Sequence, residues 1–291
     1  MDLLSLVLTL RPTTAAALPP RLGRAAHAIL LAHIAEHDPA LAEALHAEDS
    51  LRPITASELI GGRVEDQRVS PERLYTLRYT ALTAETSAAL CAAFAPGDTL
   101  TFEDVDFIVE TIEPLADSAS EIENQKSREN HLSPWAGNDD YPSLAARHLL
   151  PAAPPSAARW TFVLASPTAF RSQGQTQPLP LPGLFFGSLV KRWNAFAPVA
   201  LPEEGIKHYA EEMTVVSRFS LRSAPGWDRG RGDRRGLRIG SIGKITYTAL
   251  NRDRYWLSAF DLLAEFALYA GAGAQTTMGM GQVRAIQRDE V

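Results

Sequence analysis

The order of strand-like and helix-like segments constrains this chain more than any other feature, because the chain runs through one order twice. In the first half, "LLSLVLTLRP" reads as a strand from its leucine, valine and threonine content. After Pro19 and Pro20 a helix is predicted from about Leu22 to His46, with Ile29, Leu30, Ile34, Leu41 and Leu45 at helical spacing and a break at Pro39. "RPITASELIGGR" and "RLYTLRYTAL" read as strands. "TAETSAALCAAFA" is a helix capped by Thr83, and "GDTLTFEDVDFIVETIEP" holds a closing strand. The second half repeats the order. "ARWTFVLASPTAF" is a strand, and "LPGLFFGSLVKRWNAFA" is a helix with Leu184, Phe185, Leu189, Trp193 and Phe196 on one side. The strands "MTVVSRFSLRSA" and "GSIGKITYTAL" follow, then the helix "DRYWLSAFDLLAEFALYAGAG" and the strand "GQVRAIQ". Two βαββαβ series predict an α+β fold of tandem ferredoxin-like, or RRM-like, units, each an antiparallel sheet with two helices on one face. The units are expected at 1–115 and 158–291. Residues 116–157, polar and then proline-rich, read as a connection in which "SPWAGNDDYPSLAARHLL" has the makings of a short helix.

Composition narrows the function. No apolar run reaches the roughly 18–20 residues of a membrane span, and the N-terminus has no basic stretch ahead of its apolar one. Cys91 is the single cysteine, which leaves no internal disulfide and no multi-cysteine zinc site. A cytoplasmic location without membrane contact is the expectation. The net charge is −6, yet Ser217–Arg254 holds ten arginines and lysines against three aspartates. A basic region on an acidic body suits a polyanionic partner; a solvated arginine loop is the alternative.

Four of the eleven residues in "GAGAQTTMGMG", Gly271–Gly281, are glycine. Gly271 and Gly273 suit a helix end with positive φ. Gly279 and Gly281 with Gln275, Thr276 and Thr277 suit a bare main chain whose N–H groups meet a phosphodiester. A Walker loop needs Gly-Lys-Ser/Thr, which the chain lacks. A dinucleotide fingerprint needs strand, glycines, then helix, the reverse of the order here. A purely structural turn remains open.

At these residues the chain resembles a known family. "YAGAGAQTTMGMGQVR", "ASPTAFR", "PLPLPGLFFGSLVKRWNAFAP" and "PALAEALHAEDSLRPITASEL" are similar to segments of the CRISPR-associated endoribonucleases of the RAMP superfamily, which cut precursor crRNA within its repeats. The resemblance covers most of the chain. It implies tandem ferredoxin-like units and metal-independent cleavage of a repeat RNA. In such chemistry the 2′-hydroxyl attacks phosphorus, leaving a 2′,3′-cyclic phosphate and a 5′-hydroxyl, so a group of near-neutral pKa must move protons.

The resemblance makes His46, after Leu45 and before "RPIT", the general acid or base. Relatives place a tyrosine where this chain has Leu31 and a lysine where it has Arg52. Arginine stabilises phosphoryl charge but is a poor proton donor, so His33 and His37 are considered as assistants. "HIAEH", His33 to His37, also fits the H-x-x-E-H zinc pattern, but no third ligand region follows it, and neither metal nor cofactor is expected. RNA contact is expected at Gly271, Gly273, Gln275, Thr276, Thr277, Gly279 and Gly281. It is also expected at Lys191 and Arg192, on the exposed side of the helix whose Trp193 is core, and in the arginine loop at Arg229, Arg231, Arg234, Arg235 and Arg238, with Trp227 as a base-stacking candidate. The expected partner is CRISPR repeat RNA. A non-catalytic RNA-binding subunit of a CRISPR effector complex, or a ferredoxin-like protein without an RNA role, are the other readings. The sequence leaves a homodimer unargued.

Overall fold

The computed structural model describes residues 1–46, 51–61, 67–114, 133–150, 158–226 and 238–286. They form two units, Met1–Asp139 and Asp140–Val291. Among the described residues no helix is long and apolar enough to cross a membrane.

The first unit contains β1 (Leu3–Pro12), β2 (Ala16–Ala17), α1 (Gly23–His37), α2 (Pro39–His46), β3 (Ile54–Ala56), β4 (Arg68–Val69), β5 (Tyr75–Ala81), α3 (Ala84–Ala93), β6 (Thr99–Phe102), β7 (Val105–Glu113) and β8 (Gly137–Asp139). The main sheet runs β3-β5-β1-β7-β6, with every pair antiparallel. Counting β3, β5 and β7 as second, third and fourth strands, the order is second-third-first-fourth, the ferredoxin-like arrangement. The expected closing strand is in fact a hairpin, β6–β7, which turns at Glu103 with φ 53°. β8, unforeseen, adds three residues beside Leu3–Ser5 of β1.

Helix boundaries follow local chemistry. Asp38 is non-helical (φ −143°, ψ 86°), as the residue before proline tends to be. Its Oδ1 accepts from the N–H of Leu41 at 2.9 Å. Pro39 therefore ends α1 and opens α2 at the one position where a missing N–H costs nothing. Thr83 and Thr86 form a reciprocal capping box at the start of α3. Leu30, Ile34, Leu41 and Leu45 reach the same core as Leu6, Leu8 and Leu10 of β1 and Tyr79 of β5.

The second unit contains α4 (Tyr141–Leu149), β9 (Arg159–Thr168), β10 (Phe170–Ser172), β11 (Gln175–Gln177), α5 (Pro182–Phe196), α6 (Glu203–Glu212), β12 (Thr214–Gly226), β13 (Arg238–Ala249), α7 (Arg254–Ala270), a 3-10 turn at Thr276–Met278 and β14 (Val283–Ala285). Its sheet, β12-β13-β9-β14, is antiparallel and repeats the second-third-first-fourth order. Phe162, Phe185, Phe186, Tyr247 and Phe260 fill its core, with the rings of Phe186 and Phe260 4.0 Å apart. α4, capped by Asp140, is the short helix foreseen before the proline-rich stretch. α6 was not foreseen, because its apolar side is only Ile206, Tyr209 and Ala210 among charged residues.

Candidate cleavage site and nucleic-acid interface

His46 is exposed at the last position of α2, while Leu41, Ala42 and Leu45 bury the other side of that helix. Arg52 donates from Nη2 to the His46 carbonyl at 3.1 Å. That carbonyl is one of the acceptors a helix leaves open at its C-terminus, where a cation also complements the helix dipole. Nη1 of Arg52 lies 3.3 Å from Nε2 of His27. His27 sits on α1 and is buried, with 5% of its surface exposed. Burial first, then the neighbouring Arg52 and His46, lowers its pKa to about 4, so the ring is neutral near pH 7.

The structure thus brings together His46 and Arg52 of the expected residues, and adds His27. It does not bring His33 or His37 into these hydrogen bonds. A helix turns about 100° per residue, so His33 and His37 face another side of α1 from His27 and Leu31. His33 packs against Phe94, with ring centroids 5.0 Å apart, and His37 is exposed at the helix end. One signal in the sequence pointed to His27: it is the polar member of the buried set Gly23, Ala26, His27, Leu30 and Ile34. Among the described residues no group of three or more His, Cys, Asp or Glu is placed to hold a metal ion.

The glycine-rich segment closes the second unit between α7 and β14. Gly271 ends α7 with φ 64°, and Gly273, Gly279 and Gly281 are also left-handed, at 79°, 88° and 69°. Close main-chain approach explains three of them. A Cβ on Gly281 would stand 2.2 Å from the Ala272 carbonyl oxygen, one on Gly273 2.3 Å from that of Ala169, and one on Gly271 2.8 Å from that of Gly281. The N–H of Ala272 donates to Gly281 O, that of Gly281 to Pro167 O, and that of Ala274 to Ala169 O. Ser188 Oγ accepts from the Gly273 N–H at 3.1 Å, and Ser166 Oγ from that of Gln282 at 2.9 Å. The N–H groups of Gln275, Thr276 and Thr277, at the start of the 3-10 turn, have no backbone acceptor among the described residues.

Arg192 departs from expectation. It was placed on the exposed side of α5, but only Lys191 is exposed; Arg192 is 6% exposed. The apolar face of α5 is wider than one stripe, since Phe186 and Val190 are buried along with Phe185 and Leu189, and Arg192 falls within it. Its Nη2 donates to Gly273 O at 3.2 Å and to Thr276 Oγ1 at 2.8 Å. Burial lowers its pKa to about 10, which leaves it charged at pH 7. The residue therefore reaches the loop from beneath. Trp193 is core, 1% exposed, as expected.

On β12 and β13 a cationic face is built from register. Lys244 stands opposite Ser220, between Arg218 opposite Thr246 and Arg222 opposite Ile242, and strand alternation puts all three cations on one side. All three are exposed. Arg238 pairs with Gly226 at the start of β13. Trp227, Arg229, Arg231, Arg234 and Arg235 lie outside the described residues.

The described residues thus build two units of ferredoxin-like strand order, the second closed by a glycine-rich segment. Comparison with known proteins narrows this. Residues 163–283 match the family model of the CRISPR-associated endoribonuclease Cas6. CRISPR-associated endoribonuclease Cas6 from two strains of Mycobacterium tuberculosis is 28% identical over 131 residues, 45% of this chain and 40% of the relative. The match thus spans well under two thirds of those curated relatives. Among solved structures, a Cas6 product complex is 26% identical with a TM-score of 0.72, covering 99% of this chain and 100% of that one. A Cas6 of Thermus thermophilus, also solved as a product complex, is 25% identical with a TM-score of 0.74, covering 98% and 99%. A RAMP protein solved with different RNA substrates shares the fold at 14% identity and a TM-score of 0.58, covering 98% and 100%. Residues 163–283 thus carry the sequence pattern of the Cas6 family, and the whole chain is similar in fold to solved Cas6 proteins.

Proposed function

We propose that this protein is an endoribonuclease that cuts CRISPR repeat RNA within precursor crRNA, without a metal ion, and that His46 is its general acid or base. The observation that carries the reading is the pairing of an exposed His46 with Arg52 in a chain of Cas6 fold. The chemistry requires a base for the 2′-hydroxyl, an acid for the 5′-oxygen and positive charge beside the phosphoryl oxygens. A histidine at a solvent-facing helix end serves either proton role, and Arg52 supplies the charge. Its guanidinium stays protonated, so it does not replace a proton donor.

The RNA main chain would lie against the glycine loop, where the N–H groups of Gln275, Thr276 and Thr277 offer donors to a phosphate. Arg192 would add a positive charge behind them, and Lys191 and the Arg218–Arg222–Lys244 face would hold further phosphates. Arg229, Arg231, Arg234 and Arg235 would add further positive charge for the RNA. Handling a transcript before it enters a CRISPR effector complex puts the work in the cytoplasm. The test is cleavage of the organism's own repeat RNA in EDTA. Cutting to 2′,3′-cyclic phosphate and 5′-hydroxyl ends is expected, and it should drop by about a hundredfold or more in His46→Ala. Tight binding with no cutting by the wild-type protein would instead identify a non-catalytic crRNA-binding subunit.

A further inference from the structure

His27 is unexplained by packing alone. It occupies a core position on α1 between Ala26 and Leu30, where an apolar side chain would raise no hydrogen-bonding demand. A guanidinium only donates, so His27 Nε2 accepts from Arg52, and the neutral ring must carry its proton on Nδ1. That Nδ1 is buried and has no hydrogen-bond partner among the described residues. The fold tolerates an unsatisfied polar atom there, an unfavourable state for a buried group. What the ring provides in return is an acceptor at one fixed point, facing Arg52. The same guanidinium holds the His46 carbonyl through its other terminal nitrogen. A planar guanidinium held at both terminal nitrogens has its orientation set.

We propose that His27 is a positioning residue of the cleavage site: its Nε2 sets the Arg52 fork, whose second arm holds the main chain at His46. The proposal rests on the assignment of cleavage to His46. His27 need not touch RNA, and it moves no proton. It acts through Arg52, aligning the guanidinium with the phosphate that His46 serves.

The test combines single-turnover cleavage and RNA affinity for wild type, His27→Phe, His27→Gln, Arg52→Ala and the double variant His27→Phe/Arg52→Ala. His27→Phe keeps the ring volume and removes the acceptor. It is expected to slow cleavage about tenfold or more, with affinity changed by less than about twofold. His27→Gln, which offers an amide oxygen near the Nε2 position, restores most of the rate. The double variant is no slower than Arg52→Ala, because His27 works only through Arg52. A folded His27→Phe that cuts at full rate, or losses that multiply in the double variant, overturns the proposal. Side-chain nitrogen-15 spectra give a readout that needs no cleavage and no His27 variant. The wild-type ring should be the neutral Nδ1–H tautomer, and Arg52→Ala should perturb it. A ring protonated on Nε2 overturns the link. If His46→Ala cuts at the wild-type rate, the cleavage assignment fails, while the spectra still decide the His27–Arg52 contact.

Discussion

A buried histidine of low pKa carries a stability signature as well as a positional one. His27 titrates at about 4 in the folded chain against 6.5 for the free side chain. As pH falls below 6.5, the unfolded chain takes up a proton that the folded chain refuses. Stability from this group is therefore complete above about pH 7 and declines through the window from 6.5 to about 4. By pH 5 the loss is about 2 kcal/mol. Urea melts at pH 7.5 and pH 5 should show this decline in wild type and a correspondingly smaller one in His27→Phe. Equal declines would mean that the ring is not held neutral. His46, the residue after buried Leu45, is exposed at the end of α2. Two helices thus place two imidazoles differently: His27 of α1 is buried against Arg52, and His46 at the end of α2 faces solvent.

The loop between α7 and β14 is the element in which backbone decides most. Its left-handed glycines let the chain fold back so that the Ala272 N–H donates to the Gly281 carbonyl and the Gly281 N–H to that of Pro167. Gly281→Ala places a Cβ 2.2 Å from a carbonyl oxygen at φ 69°, and neither atom belongs to a side chain that could swing away. The strain of a left-handed residue adds to the clash, so a loss of about 2 kcal/mol or more is expected in thermal or urea unfolding. RNA affinity should fall with it, because the free N–H groups of Gln275–Thr277 depend on the same bend. A Gly281→Ala protein of unchanged stability would show that the bend adjusts freely. Arg192 secures the bend from below through Gly273 and Thr276. Its charge at the loop's base and its structural tie are thus one feature, since a single guanidinium nitrogen makes both contacts.

Across the whole molecule the charge is −6, yet Arg218, Arg222 and Lys244 share one face of β12–β13, and neither strand contains an acidic residue. Local field, not net charge, governs association with a polyanion. Replacing all three by alanine should lower the salt slope of RNA binding by about 2, given roughly 0.7 per single-strand phosphate contact. An unchanged slope in filter-binding or anisotropy titrations would place the RNA elsewhere. Much of this architecture was legible in the chain itself. Strand alternation and helical spacing are local, so the two βαββαβ series, the break at Pro39, the Thr83 cap and the glycine-terminated last helix could be read residue by residue. So could the place of His46 at a helix end. Segments whose signal is short or charged escaped: the β6–β7 turn, β8 and α6. Tertiary structure alone decided which side chains meet. Arg192 looks like a surface cation on α5 until the wider apolar face turns it inward, beneath residues 81 and 84 positions further on. His27 looks like a core histidine until Arg52, 25 residues away, closes on its ring. Local sequence sets which face a helix buries, but a contact between distant segments exists only once the chain has folded, and both the candidate cleavage site and the loop's anchor are contacts of that kind.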